Sequence, residues 1–191
     1  MKKPYSYLIG ILLLTLAFIF DKQISLFFTS YRIEFFNNLA IFFNNVPGYA
    51  LFGLILILFL ILKKFDKIPA LILSFILYFS LTSLIKIIVA RPRPFVELKN
   101  NLVDDINSYR SFPSGHATSA AAIIPFFSFN KKLYYAWFII AIIISLSRVY
   151  LGVHYLSDVI AGFMLGNFIG DLSIYIVKKY KNYRKITHRK V

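Results

Sequence analysis

Two cationic residues seven positions apart form the first group whose types and spacing could support chemistry. Lys86 lies near the end of an apolar run, where an unpaired charge is costly, and Arg93 follows between two prolines. Proline disfavours helix at the preceding residue, so the chain should leave the run in extended form and bring Arg93 back toward Lys86. The pair could hold an anion. A lysine reaching for the membrane surface and an arginine binding headgroups would explain it equally well.

A helix start that carries a histidine forms the second group. The sequence Pro113-Ser114-Gly115-His116 opens another apolar run. The first N–H groups of a helix have no partner within it and carry positive dipole character, which suits an anion. Ser114 could donate from its hydroxyl and its amide, Gly115 would let the backbone approach the anion, and His116 could donate a proton. The alternative is an ordinary cap made by Ser114, with His116 at the membrane surface.

A cation, a histidine and a carboxylate form the third group. Arg148 ends one apolar run, and His154 and Asp158 open the next. Residues four apart share one face of a helix, so Asp158 could accept a hydrogen bond from one imidazole nitrogen and leave the other free to attack. Such a pair can be purely structural, but ionisable groups at the end of a membrane helix usually mark a functional site.

Taken together, the three groups supply three cations, a helix N-terminus, two histidines and one carboxylate. This set suits phosphoryl transfer, whose main demand is the stabilisation of charge on the transferring oxygens. The sequence offers no cluster of carboxylates for magnesium, no cysteine, and too few histidines for a typical catalytic zinc site. We therefore expect a site that uses no metal and no other cofactor.

The elements that position these groups are predicted to be membrane helices. Hydrophobic residues make up 59% of the 191 residues, against about 45–50% in soluble domains, and they lie in long runs with few charges. The sequence predicts a single membrane-embedded domain over residues 1–191, an all-α polytopic bundle of about six transmembrane helices. An uncleaved first span is favoured over a signal peptide, because no small-residue cleavage site follows it. The expected spans are 5–20, 49–62, 68–90, 113–129, 133–149 and 153–178, with an interfacial segment at 24–46 and an extended loop at 91–112.

The distribution of charge predicts the orientation. The net charge is +14, and the basic residues lie at the ends of apolar runs, which favours contact with anionic headgroups over nucleic acid. With six spans, 14 of the 22 lysines and arginines fall on the side of both termini. The positive-inside rule then places the termini in the cytoplasm and the site toward the periplasm or the cell exterior. The sequence does not define an oligomeric state.

The three groups together resemble the signature motifs of the type 2 phosphatidic acid phosphatase superfamily, in particular its membrane lipid phosphatases. Eleven residues match in order, and the spacing inside each motif also matches. They are Lys86-x6-Arg93-Pro94, Pro113-Ser114-Gly115-His116 and Ser147-Arg148-x5-His154-x3-Asp158.

The resemblance implies a role for each residue except Ser147. His154 would attack phosphorus and form a phosphohistidine, oriented by Asp158, while His116 would protonate the leaving oxygen and later activate water. These roles require a neutral His154 and a protonated His116, so the environment must push the pKa values of the two histidines apart. The residues that would hold the phosphate oxygens are Lys86, Arg93, Ser114, Gly115 and Arg148.

A site near the membrane surface favours a substrate whose phosphate lies at that depth. An outward-facing site fits undecaprenyl diphosphate first, with phosphatidylglycerophosphate, phosphatidate and a lipid A phosphate as alternatives. A lipid phosphotransferase would share the same motifs, whereas a transporter or channel would leave the catalytic set unexplained. The 91–112 loop is expected to shape selectivity through polar residues such as Asn100, Asn101, Asp104 and Asp105.

Overall fold

A computed structural model describes residues 4–98 and 109–187, which form helices joined by short connections, with no strand in these ranges. The selectivity residues expected at 100–105 lie outside the described residues. The helices are α1 (Pro4–Ser30), α2 (Glu34–Asn45), α3 (Gly48–Ile61), α4 (Ile68–Val89), α5 (Pro94–Leu98), α6 (Gly115–Ile123), α7 (Lys131–Tyr150) and α8 (Leu156–Thr187).

Long apolar helices confirm the predicted membrane bundle. Within the described residues, four helical stretches are long and apolar enough to cross a membrane: Leu8–Ser30, Phe65–Leu98, Lys131–Tyr150 and Leu156–Tyr183. A fifth arises if α2 and α3, which meet at an angle of 77°, are counted as one broken span. Large apolar side chains such as Leu12, Ile88 and Ile139 are exposed on the outside of the bundle, as a lipid-facing surface requires.

The fourth predicted span corresponds to α6, which differs from the other helices. It has nine residues and continues into a 3₁₀ turn, Ile124–Phe127, whereas a span needs about 20 residues. All its residues from Ala117 to Ile123 are buried. The segment is thus a central helix surrounded by the others, and the number of six spans stays a prediction.

The first helix is longer than the sequence predicted. The expected span ended at residue 20 before charged residues, but α1 continues to Ser30. Asp21, Ser25 and Thr29 are all buried. They recur every four residues and therefore share the face of α1 that points into the bundle. The polar residues are tolerated because the helix buries them instead of exposing them to lipid.

A stripe of glycines on α8 lets α6 approach closely. Gly162, Gly166 and Gly170 are four residues apart, and α8 packs more extensively on α6 than on any other element. A Cβ atom on Gly166 would lie 2.2 Å from the Thr118 carbonyl oxygen and 2.8 Å from the Ala122 amide nitrogen. Small residues at this spacing are a common device for close packing of membrane helices. The stripe therefore sets the distance between α6 and α8, the two helices whose first turns carry predicted site residues.

We expect Gly166→Ala to destabilise the protein by at least about 2 kcal/mol, since the added methyl group forces the backbones of α6 and α8 apart. Thermal unfolding in detergent measures the effect. Gly53→Ala on α3 is the matched control, because a Cβ atom there would meet nothing within 4 Å. Equal unfolding temperatures for the two variants would contradict the packing role of Gly166.

Candidate active site

The structure brings the three sequence groups together where α4 ends, where α6 begins and where α7 connects to α8. Arg93 is buried, donates to the Val153 carbonyl oxygen at 3.0 Å and lies with Nη1 3.5 Å from His154 Nε2. Lys86 Cε lies 4.0 Å from the position a Cβ atom would take on Gly115. The helix ends at Val89 with Ala90 in a left-handed conformation, so the chain leaves α4 before the prolines as predicted. The segment that follows is not extended throughout, because Pro94–Leu98 forms the short helix α5.

His154 lies in the connection before α8, not within the helix as its spacing to Asp158 suggested. Its side chain is buried. Burial lowers the pKa of His154 well below its usual value of 6.5, and the positive charges of Arg93, Lys86 and Arg148 lower it further. The imidazole is therefore neutral at pH 7, which is the form that has a lone pair for attack.

Asp158 is held by several donors and faces His154 at a distance longer than expected. Its Oδ2 atom accepts from Ser111 Oγ at 2.5 Å and from the Tyr155 amide at 2.9 Å. The same oxygen lies 3.6 Å from His154 Nδ1, which is too long for a hydrogen bond. Ser111 Oγ lies 3.4 Å from that nitrogen. Ser111, a residue the sequence argument missed, thus contacts both the carboxylate of Asp158 and the imidazole of His154.

The start of α6 differs in one respect from the expectation for Ser114. Its amide does not point at an anion, because it donates to the main-chain oxygen of Asp158 at 2.9 Å. Its hydroxyl makes no capping bond, and this buried Oγ has no hydrogen-bond partner among the described residues. A buried hydroxyl without a partner is costly. The hydroxyl is therefore the group of Ser114 that suits a phosphate oxygen. Next to it, Gly115 has no side chain that would keep an anion away from the backbone.

His116 is oriented by the break between α2 and α3. Its Nε2 atom lies 3.1 Å from the Val46 carbonyl oxygen. A carbonyl oxygen only accepts, so Nε2 carries the hydrogen in this contact and Nδ1 is the ring nitrogen that this contact does not use. Burial lowers the pKa of His116 to about 3, and the positive charges of Arg148, Lys86 and Arg93 also lower it. The second histidine therefore belongs to the same cluster of cations as His154. These surroundings favour the neutral imidazole, not the protonated form that the sequence predicted, so the negative charge of a phosphate beside it would be needed to raise the pKa.

The other two cations have fixed positions. Arg148 is buried, and its Nη1 atom donates to Asn44 Oδ1 on α2 at 2.7 Å. Lys86 Nζ donates to the Arg110 main-chain oxygen at 2.6 Å. The sequence argument did not identify Asn44, because nothing in the spacing of α2 relates it to a residue 104 positions away. The eight predicted residues thus lie in one cluster, in which Lys86, Arg93 and Arg148 are close enough to His154 to lower its pKa.

Comparison with known proteins agrees with this geometry. The family model described as "PAP2 superfamily" matches residues 67–182. The chain is 34% identical to an undecaprenyl-diphosphatase of Sulfolobus acidocaldarius over 149 residues, which cover 76% of this chain and 72% of that one.

Two solved structures share the fold. Aquifex aeolicus LpxE superposes with a TM-score of 0.71 and 29% identity, over 80% of this chain and 93% of that one. A transmembrane PAP2-type phosphatidylglycerolphosphate phosphatase from Bacillus subtilis gives 0.63 and 28%, over 96% and 98%.

Proposed function

Because the chain belongs to the PAP2 superfamily and is a membrane lipid phosphatase, we propose that it hydrolyses a lipid phosphate or diphosphate monoester through a phosphohistidine, with undecaprenyl diphosphate as the preferred substrate. The observation that carries the mechanism is the environment of His154. The imidazole is neutral and buried, and its Nε2 atom lies 3.5 Å from Nη1 of Arg93. A phosphate bound by Arg93 would therefore bring its phosphorus next to Nε2.

The first step transfers the terminal phosphoryl group to His154. The Nε2 lone pair forms a bond to phosphorus while the bond between phosphorus and the bridging oxygen breaks. Lys86, Arg93 and Arg148 offset the charge on the phosphoryl oxygens, which is the main requirement of such a transfer. His116 gives a proton to the leaving oxygen, so the lipid departs as the monophosphate or the alcohol.

The second step releases phosphate. His116, now deprotonated, takes a proton from a water molecule that attacks the phosphorus of the phosphohistidine. The nitrogen–phosphorus bond breaks, inorganic phosphate forms, and His154 returns to its neutral state. Asp158 supports both steps, because a carboxylate beside Nδ1 stabilises the positive charge that the imidazole gains on phosphorylation.

The choice of substrate is supported by the membrane setting and by the relatives. The apolar outer surface supports a lipid substrate, and one relative carries the name undecaprenyl-diphosphatase. With both termini in the cytoplasm, the site would face the periplasm or the cell exterior, where a prenyl diphosphate carrier is left after it delivers its cargo. Phosphatidylglycerophosphate and lipid A phosphates are the alternatives, since solved relatives or curated ones bear those names.

The test is phosphate release by the purified protein in detergent with EDTA, from undecaprenyl diphosphate, phosphatidylglycerophosphate, phosphatidate and a lipid A phosphate. We expect metal-free turnover of all four classes to some degree, and the highest kcat/KM for undecaprenyl diphosphate. A higher kcat/KM with another lipid would make that lipid the preferred substrate. A strict need for magnesium would contradict the mechanism. A phosphotransferase would instead consume substrate with little free phosphate when an alcohol acceptor is added.

A further inference from the structure

We propose that Arg91 and Asp21 act as a positioning pair for Asp158 and that Arg91 is not part of the phosphate cradle. This inference rests on the proposed function, because it concerns how the orienting carboxylate is held. Arg91 lies two residues before Arg93, in the same proline-rich exit from α4. Its position in the sequence alone would favour a fourth phosphate-binding cation, and the contacts show a different arrangement.

The guanidinium of Arg91 joins two buried carboxylates. Its Nη1 atom lies 2.7 Å from Asp158 Oδ1 and donates to Ser157 Oγ at 2.7 Å. Its Nη2 atom lies 2.8 Å from Asp21 Oδ2. The side chains of Asp158 and Asp21 are almost fully buried. Arginine suits this position because its rigid fork can bond two carboxylates at once, which a lysine amine cannot reproduce.

Aromatic rings hold the guanidinium in this orientation. Its central carbon lies 4.2 Å from the centre of the Tyr155 ring and 5.2 Å from that of Phe18. Contacts at such distances are attractive for a cation over a ring face. Both terminal nitrogens of Arg91 thus bond to α1 and to the start of α8. Arg91 bonds to Oδ1 of Asp158, whereas Ser111 bonds to Oδ2.

Asp21 connects the first helix to the catalytic carboxylate. Its Oδ1 atom accepts from the Ser157 amide at 2.9 Å, and its Oδ2 atom also accepts from the Ser157 hydroxyl. The carboxylate of Asp21 therefore caps the first turn of α8 while it pairs with Arg91. Since Asp21 lies before the region matched by the family model, α1 contributes to the site through a residue outside the motifs.

The arrangement leaves Asp158 with one orientation. Oδ1 is fixed by Arg91, and Oδ2 is fixed by Ser111 and the Tyr155 amide, so that Oδ2 faces His154 Nδ1. Without Arg91 the buried carboxylate would lose its charged partner and could rotate or take up a proton. His154 would then lose its orientation, while the three cations that hold phosphate would stay in place. The expected defect is in kcat and not in phosphate affinity.

The experiment measures kcat for lipid hydrolysis and the inhibition constant of inorganic phosphate, for Arg91→Ala, Arg91→Lys and Asp21→Asn. We expect Arg91→Ala to lower kcat about 100-fold, since misplacing a catalytic group by about 1 Å costs that much. Asp21→Asn should lower it about 10-fold, and Arg91→Lys should fall between Arg91→Ala and wild type. The inhibition constant of phosphate should stay within about threefold of wild type in all three.

Two further variants calibrate these results. Arg93→Ala should raise the inhibition constant of phosphate about 10-fold or more, because a charged hydrogen bond is lost. Lys22→Ala is the matched control next to Asp21. Its amine makes an exposed ion pair with Glu97 at 2.9 Å, and such pairs contribute little, so both constants should match wild type.

The possible outcomes separate the two proposals. A rise in the inhibition constant for Arg91→Lys or Arg91→Ala equal to that of Arg93→Ala would place Arg91 in the cradle and overturn the inference. Wild-type kcat in Arg91→Lys and Asp21→Asn would overturn it as well, and these variants decide the matter if Arg91→Ala does not fold. A wild-type protein that releases no phosphate from any lipid would refute the proposed function, and the positioning role with it.

Discussion

Replacing His154 with alanine should lower the rate of phosphate release from undecaprenyl diphosphate by roughly 10⁴-fold or more, because removing a nucleophile disables both steps of a covalent mechanism. Asp158, the neighbouring carboxylate, is not available as a substitute, since it is already bonded to Ser111, Arg91 and the Tyr155 amide. Initial rates in detergent, followed by release of inorganic phosphate, measure the loss.

The control for this variant is phosphate binding. Lys86, Arg93 and Arg148 each make a hydrogen bond that does not involve the imidazole. His154→Ala should therefore still be stabilised against thermal unfolding by inorganic phosphate. Retained turnover in a variant that binds phosphate normally would show that His154 is not the nucleophile.

His116→Ala should have the second largest effect, and its size should depend on the leaving group. For undecaprenyl diphosphate we expect a loss of about 10²- to 10⁴-fold, the usual contribution of a general acid. With p-nitrophenyl phosphate, whose leaving group needs no proton, the first step should be nearly normal. The variant should then release a rapid burst of nitrophenolate followed by slow turnover. The second step is slow because His116 is no longer there to take a proton from the attacking water.

Rapid-mixing absorbance of nitrophenolate checks this prediction against wild type. The amplitude of the burst should approach one equivalent of enzyme. An equal loss of rate with both substrates and no burst would assign His116 a role in binding. The contact between His116 Nε2 and the Val46 carbonyl would then be its main purpose.

The sequence was sufficient to identify the residues that cluster at the proposed site but not the residues that hold them in place. Fixed spacing inside three short segments predicted all eight clustered residues, because each segment is read locally. Asp21, Asn44 and Ser111 could not be found in that way, since their partners at Ser157, Arg148 and Asp158 lie between 47 and 136 positions away. Such pairs arise only when α1 packs on α8, α2 packs on α7 and the segment before α6 meets the start of α8.

Two features of the fold show where local patterns succeed and fail. The end of α4 followed from the proline pair, whereas the end of α1 did not, because burial of Asp21 cannot be read from an apolar count. The apolar pattern likewise predicts an ordinary span where the structure has the short central α6 and a 3₁₀ turn. A signal for it existed in the glycines at 162, 166 and 170, whose four-residue spacing on α8 indicates a helix packed unusually close.

The most direct test of the account is detection of the phosphorylated enzyme. The His116→Ala variant should accumulate the intermediate with p-nitrophenyl phosphate. The reaction is quenched in alkali, where phosphohistidine survives, and the protein is then digested for mass spectrometry. The account predicts one added phosphoryl group on the peptide that contains His154, absent when His154→Ala is combined with His116→Ala. A burst of nitrophenolate without any phosphorylated peptide, or with the group on another residue, would contradict it.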